Sequence, residues 1–182
     1  MVIQPGDFAV RDLSYVIRSA EEKDAEMLSE VRLQADGETE NLDREKGEAV
    51  IDEPGFKKLI KEDTESRNNL FLVAEVNGRI AGFARCEGSK LKRFSHKVEF
   101  GVAVLKDYWG YKMGEKLLAA CIHWADSNEI KKMTLSVLET NEKAIKLYKK
   151  YGFEVEGILK GDKVLSDGNY YGTIIMGRLN QE

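Results

Sequence analysis

Residues 102–118 read VAVLKDYWGYKMGEKLL. An alternating apolar run ends, Gly110 and Gly114 follow, and a helical pattern begins. A helix N-terminus carries unpaired backbone N–H groups and a partial positive charge, so such a junction can bind phosphate. Glycines there let the backbone approach a ligand closely. Two glycines four apart serve a turn and a helix packing contact equally well, and both readings stand. No Gly-Lys-Ser/Thr follows, so this is not a P-loop, and the glycine spacing is wrong for the dinucleotide fingerprint. A second segment, residues 141–153, reads NEKAIKLYKKYGF. Asn141 can cap a helix or offer its amide to a ligand. Tyr148 lies two turns on, on the apolar stripe, as a core tyrosine or as a hydroxyl with a task. Glu99 is the lone carboxylate in the run HKVEFGVAVL. It is a candidate base or an outward-facing residue on a half-exposed strand. His96 is its rival, since histidine titrates near neutrality, but it has the opposite strand parity, so the two share a face only across a bulge. His123 reads as a surface or structural histidine. Cys121 falls on an apolar helical stripe and Cys86 at a strand end, which gives no low-pKa thiol and no metal-ligand spacing.

These residues need elements to hold them. Residues 1–13 read as an N-terminal extension before the domain at 14–182. Residues 14–18 (SYVIR) alternate as a strand. A helical signal starts at Ser19, residues 35–53 read as an acidic loop, and a helix covers 54–61 with Pro54 near its start. The period then changes to two. Residues 69–76, 79–86 and 96–105 read as three consecutive strands, the first two joined by Asn77-Gly78, a strong hairpin signal. Gly114, Leu117, Leu118, Cys121, Ile122 and Ala125 form a 3.6-period stripe. Strand 132–137, helix 141–151 ended by Gly152, and strands 153–159 and 171–179 complete the chain. The expected fold is α+β, an α/β sandwich: a single mixed, mostly antiparallel sheet flanked by helices.

Composition narrows the class. The 182 residues suffice for one domain with a sizeable core. A hydrophobic share of 42% and a charged share of 33% read as globular rather than disordered. No apolar run reaches the roughly 18 residues of a membrane span, and no secretory signal is visible. Two cysteines fit a reducing cytoplasm. The net charge of -4 weighs against general nucleic-acid binding. Between Glu21 and Arg67 acidic residues outnumber basic ones about two to one, and the remainder is slightly basic. This is a solvated surface, or a site split between an anionic cofactor and a cationic substrate.

The two segments taken together resemble the GCN5-related N-acetyltransferase superfamily. Residues 102–118 resemble its cofactor motif Q/R-x-x-G-x-G/A. The Asn-x-x-Ala-x-x-Leu-Tyr-x-x-x-Gly-Phe run beginning at Asn141 is close to its second signature. The resemblance covers roughly residues 15–179. HKVEFGVAV before the cofactor loop looks most like the branch with ribosomal-protein, phosphinothricin and small-amine acetyltransferases. The chain departs from the motif at two places: Trp109 stands where Gln or Arg is usual, and Lys112 where the middle glycine is usual. If that position needs a positive φ, lysine costs on the order of 1 kcal/mol.

The resemblance implies the acyl-CoA N-acyltransferase fold, with strand 96–105 splayed from strand 132–137. It implies acetyl-CoA as cofactor, its pantetheine arm pairing with the backbone of Val102 and Val104. The pyrophosphate would sit on the amides of Trp109, Gly110, Tyr111, Lys112, Met113, Gly114 and Glu115. Asn141 would bond the cofactor arm, and Tyr148 would stand beside the sulfur. The implied reaction moves acetyl from acetyl-CoA to a primary amine (small amine, polyamine or protein N-terminus) by direct attack through a tetrahedral intermediate. Glu99 would act as base, Tyr148 as donor to the departing thiolate, and a backbone N–H as oxyanion donor. Glu38 and Glu40, in the acidic stretch that lines the acceptor side in this superfamily, would face a cationic amine. No metal, nucleic acid or membrane enters this reading, and a homodimer is a family habit. The alternative is a sensor that binds CoA or an amine on the same scaffold without turnover.

Overall fold

In the computed structural model, which describes residues 1–180, the alternating SYVIR stretch forms a strand, but a further strand precedes it. The last two residues of the expected domain lie outside the described residues. Within the N-terminal extension, Gly6–Val10 makes β1, which pairs antiparallel with β2 (Leu13–Ser19) across a two-residue turn at Arg11 and Asp12. Phe8 stacks on Tyr15 with ring centroids 5.6 Å apart, which ties this first strand to the core.

The helix expected from Ser19 starts later, as α1 (Ala25–Glu38), after a short 3-10 turn at Glu22–Asp24. Asp24 is the reason. Its carboxylate accepts from both terminal nitrogens of Arg18 at 2.7 and 2.8 Å and from the Glu21 amide at 2.8 Å, which fixes the turn before the helix. At its other end α1 runs into the expected acidic loop, because Ala35 and Asp36 are buried and Asp36 pairs with Arg44 at 3.0 Å. Helix α2 (Glu53–Glu65) is capped by Asp52, whose side chain accepts from the Gly55 amide at 2.9 Å. It outlasts the expected end at Lys61, since Asp63, 1% exposed, is gripped by Arg85 and Asn69.

The meander is as expected: β3 (Leu70–Val76), β4 (Arg79–Gly88) and β5 (Lys97–Val104) run antiparallel. Asn77 and Gly78 both take positive φ, 49° and 78°, in the turn between the first two. Then come α3 (Met113–Ser127), β6 (Lys132–Leu138), α4 (Glu142–Lys150), β7 (Glu154–Val164) and β8 (Tyr170–Leu179). The sheet order is β1-β2-β3-β4-β5-β6-β8-β7, and β5–β6 is its one parallel pair among the described residues. Helix α3 and Tyr148 of α4 pack on one face with Leu72, Ala84, Val98 and Phe100. Helices α1 and α2 pack on the other with Phe71, Val73, Ala103 and Leu105. Among the described residues no helix is long and apolar enough to cross a membrane.

Candidate active site

The parallel pair is short. Its register holds at Lys97 with Lys132, Val98 with Met133 and Glu99 with Thr134, and stops. The amides of Lys131 and Lys132 both donate to the His96 carbonyl, at 2.9 and 3.0 Å, and close that end. Beyond Thr134, β6 stays with β8 while β5 stays with β4, so the two strands part as a V. The Leu105 amide donates to Ala81 of β4 at 2.9 Å. Main-chain direction alternates along a strand, so Val102 and Val104 turn their N–H and C=O groups into the V. Both residues named from the sequence therefore border this slot. One correction follows from the side chains: the Trp109 indole donates to the Val104 carbonyl at 2.8 Å, so that acceptor is already engaged. The Val104 amide and both main-chain groups of Val102 stay turned to the slot.

At the wide end of the V, a 3-10 turn at Lys106–Tyr108 leads into the glycine loop. Gly110 has φ 89° and Lys112 φ 57°, so lysine does occupy a left-handed position just before α3. The loop is locked from behind, where the Tyr15 hydroxyl donates to the Tyr111 carbonyl at 3.1 Å. A Cβ on Gly114 would meet nothing closer than Val104 Cγ2 at 3.8 Å. Protein packing thus has no need of glycine there, whereas a phosphate drawn close to the backbone does. Glu115, in the first turn of α3, is bonded by Lys150 at 2.7 Å and by the Tyr151 hydroxyl at 3.1 Å. Lys150 holds its carboxyl below the usual range, and the pairing offsets its charge beside the anion site. The residues present fit a pyrophosphate bound through main-chain amides.

Tyr148 and Glu99 take opposite faces of β5. Tyr148, 8% exposed, meets Phe100 edge-on at 6.3 Å and Phe153 at 5.8 Å. Burial pushes its pKa up to about 12, so it keeps its proton. Its hydroxyl bonds to no described residue, yet no buried side-chain oxygen or nitrogen among them lacks a partner, so it opens toward solvent. Glu99 shares strand parity with Ala103 and Leu105, hence the α1/α2 face, and is exposed at the apex of the V beside Thr134. Gly101 comes next on that face, and a Cβ there would meet nothing within 4 Å. The sequence reading missed this open place, although a glycine inside a strand is the signal for close approach of a ligand. β5 meets β4 without a bulge, so nothing brings His96 onto the face of Glu99. Asn141 caps α4 through its Oδ1, which accepts from the Ala144 amide at 3.3 Å, and its Nδ2 donates to no described residue.

The acidic pair sits elsewhere. Glu38 accepts from the Lys106 amide at 2.6 Å and from Gln34 at 2.7 Å, so both its oxygens are engaged at the far end of β5. Seven residues separate Lys106 from Glu99, about 23 Å of strand, and the structure does not bring Glu38 and Glu99 together. Glu40 accepts from the Ser166 amide at 2.8 Å, and Ser166, through its side chain first and then its main chain, lowers the Glu40 pKa. Asp43 pairs with Lys163. The acidic segment is thereby tied to the β7–β8 hairpin.

Comparison with known proteins gives the same picture. A sequence model described as the Acetyltransferase (GNAT) family matches residues 36–153. The L-amino acid N-acetyltransferase AaaT of Escherichia coli (strain K12) is 29% identical over 171 residues, covering 90% of this chain and 97% of its own. A solved GNAT-family acetyltransferase from Streptococcus pneumoniae superposes with a TM-score of 0.88 at 28% identity, covering 91% of this chain and 99% of its own. The yncA protein from Salmonella typhimurium, solved with its cofactor acetyl-CoA, has the same fold. Its TM-score is 0.81 at 22% identity, over 92% of this chain and 95% of its own.

Proposed function

Because the chain belongs to the GNAT acetyltransferase family and is an acetyl-CoA-dependent N-acetyltransferase, we propose that it passes acetyl directly to a primary amine through a tetrahedral intermediate. One observation carries this reading. Val102 and Val104 turn main-chain groups into a slot flanked by a tyrosine on one face of the sheet and a carboxylate on the other.

When bound, acetyl-CoA supplies an activated acyl carbon and a thiolate leaving group. The Trp109 amide is taken by the Lys106 carbonyl at 3.1 Å, contrary to the sequence expectation, so the amides of residues 110–115 hold the pyrophosphate, and Lys112 adds charge there. The Val102 amide donates to the oxyanion, in a site where a fixed donor is worth more than in water. The acceptor enters from the α1/α2 face over Gly101. Its N–H becomes acidic only as the new C–N bond forms, and Glu99 then takes the proton directly or through water. Tyr148 cannot pass its own proton on cheaply. A thiol titrates near about 8.5, so full transfer from a phenol at about 12 runs uphill by about 5 kcal/mol. Its hydroxyl therefore donates a hydrogen bond to the departing sulfur, and solvent completes the thiol. Glu38 and Glu40 hold the acceptor-side wall in place and give it negative potential for a cationic amine. We place the reaction in the cytoplasm, where Cys86 and Cys121 stay reduced.

The AaaT relative is named for L-amino acids, which puts α-amines of amino acids first in an acceptor panel. Polyamines and an alanine-terminated peptide follow. Thiol release from acetyl-CoA is the readout. Turnover on at least one amine is expected. Calorimetric CoA binding with no turnover on any of them would favour the sensor instead.

A further inference from the structure

The β1–β2 hairpin has no assigned task, and its tip lies against the glycine loop. An Arg11 Nη1 atom is 3.8 Å from where a Cβ on Gly110 would stand, and its guanidinium lies over the Tyr111 ring at 5.9 Å. Two further contacts tie the hairpin to the loop and the start of α3, Tyr15 hydroxyl to Tyr111 carbonyl at 3.1 Å and Lys116 Nζ over Phe8 at 5.3 Å, while Phe8 stacks on Tyr15 within the hairpin. Arg11 is exposed and makes no ion pair among the described residues. It also holds φ 56°, at a turn position where glycine or asparagine sits more easily. Two residues after Gly110 in the chain comes the other left-handed basic residue of the region, Lys112 at φ 57°. Arg11 thus approaches the positive-φ glycine from the hairpin in a loop that carries a further lysine, while the nearby Glu115 is already paired with Lys150.

We infer that Arg11 binds a phosphate of the coenzyme, making the N-terminal hairpin part of the cofactor site. The inference rests on residues 110–115 being the phosphate loop. A guanidinium suits this task because its planar fork can donate twice to phosphate oxygens. The coenzyme offers two such groups, the pyrophosphate and the ribose 3′-phosphate.

The test is calorimetric titration of wild type, Arg11→Asn, Arg11→Lys and Gly114→Val with CoA and with dephospho-CoA, which lacks the 3′-phosphate. Donor kinetics with S-acetyl-pantetheine, which lacks every phosphate, complete it. Asparagine tolerates the left-handed turn, so Arg11→Asn removes the charge without straining the hairpin. It should weaken CoA about five- to twentyfold, the range of one partly exposed charge-assisted hydrogen bond, and leave kcat/KM for S-acetyl-pantetheine unchanged. Arg11→Lys should recover part of the loss. A loss on CoA alone puts Arg11 on the 3′-phosphate, and an equal loss on dephospho-CoA puts it on the pyrophosphate. CoA affinity unchanged in Arg11→Asn but impaired in Gly114→Val overturns the role of Arg11 and keeps the loop. A Gly114→Val protein that binds CoA like wild type removes the loop reading itself. A loss that persists on S-acetyl-pantetheine shows that Arg11 merely shapes the fold, and overturns the inference.

Discussion

The glycine loop at residues 106–114 and the acidic segment at residues 38–43 flank the same strand and are built by opposite means. The loop is main chain throughout: a 3-10 turn, positive φ at Gly110 and Lys112, then the free amides of a helix start. The segment is held by side chains reaching far along the sequence, Glu38 to Lys106, Glu40 to Ser166 and Asp43 to Lys163. A ligand bound by backbone asks little of side-chain identity, and so tryptophan and lysine can stand at two motif positions without undoing the site. A ligand bound by side chains depends on each of them. On the proposed function, the loop would be the half shared across the family, and the acidic segment the half in which acceptor specificity would reside.

Substitutions confined to one half test that division. The largest effect is expected on the seam between them. Tyr148→Phe should lower kcat about 10²-fold, since it removes a donor to the leaving sulfur, with CoA affinity and amine KM close to wild type. The same variant carries a pH signature. Tyr148 binds its proton more tightly folded than unfolded, so its contribution is present below pH 10 and is lost as pH rises to about 12. Wild type should lose about 2–3 kcal/mol from this group across that window, and urea titrations should show Tyr148→Phe spared it. A variant that is merely less stable, with kcat within twofold, makes Tyr148 a core residue only.

Next is the cofactor half. Gly114→Val should raise the CoA Kd well over tenfold and leave amine KM alone. Its melting temperature should stay near wild type, because a side chain there meets only Val104. On the acceptor half, Gly101→Val fills the open place beside Glu99 and should raise amine KM about tenfold, roughly the scale of one misplaced buried group, with the CoA Kd unchanged. Glu99→Gln should slow the reaction most below the pH at which free amine becomes abundant, and higher pH should recover part of the loss. If it is silent at every pH, an unaided water takes the proton. The smallest effect belongs to Glu38→Gln/Glu40→Gln, a severalfold rise in amine KM, with wild-type KM also rising with salt. If the acetyl-CoA KM moves instead, the bond from Lys106 to Glu38 couples the two halves, and the division fails there.

What could be read from the sequence follows the same line. The meander, the Asn77-Gly78 turn and the stripes of α3 and α4 arise from neighbours along the chain, where periodicity and turn chemistry act. The strained Lys112 was legible because a glycine motif locates the position that needs it. Strand β1 was not, since GDFAV is too short to show its alternation and needs β2 to exist. Helix ends were misplaced where a distant partner decides them, as Arg85 does for Asp63. The engaged Val104 carbonyl, the ties of Glu38 and Glu40, and the approach of Arg11 to Gly110 are likewise contacts across the fold. No local pattern encodes them.

The brevity of the β5–β6 register has a consequence for breathing of the native state. Three residue pairs weld a five-stranded and a three-stranded block into one sheet, with β5 at the edge of its block beyond Glu99. The Val102 and Val104 amides face that edge, so their deuterium uptake should rank among the fastest of any strand amide beside a buried core. A coenzyme arm laid along them acts as a ninth strand. At a hundred times its Kd it would stabilise the fold by about 2.7 kcal/mol, and slowed exchange at those two amides would mark where the added strand lies.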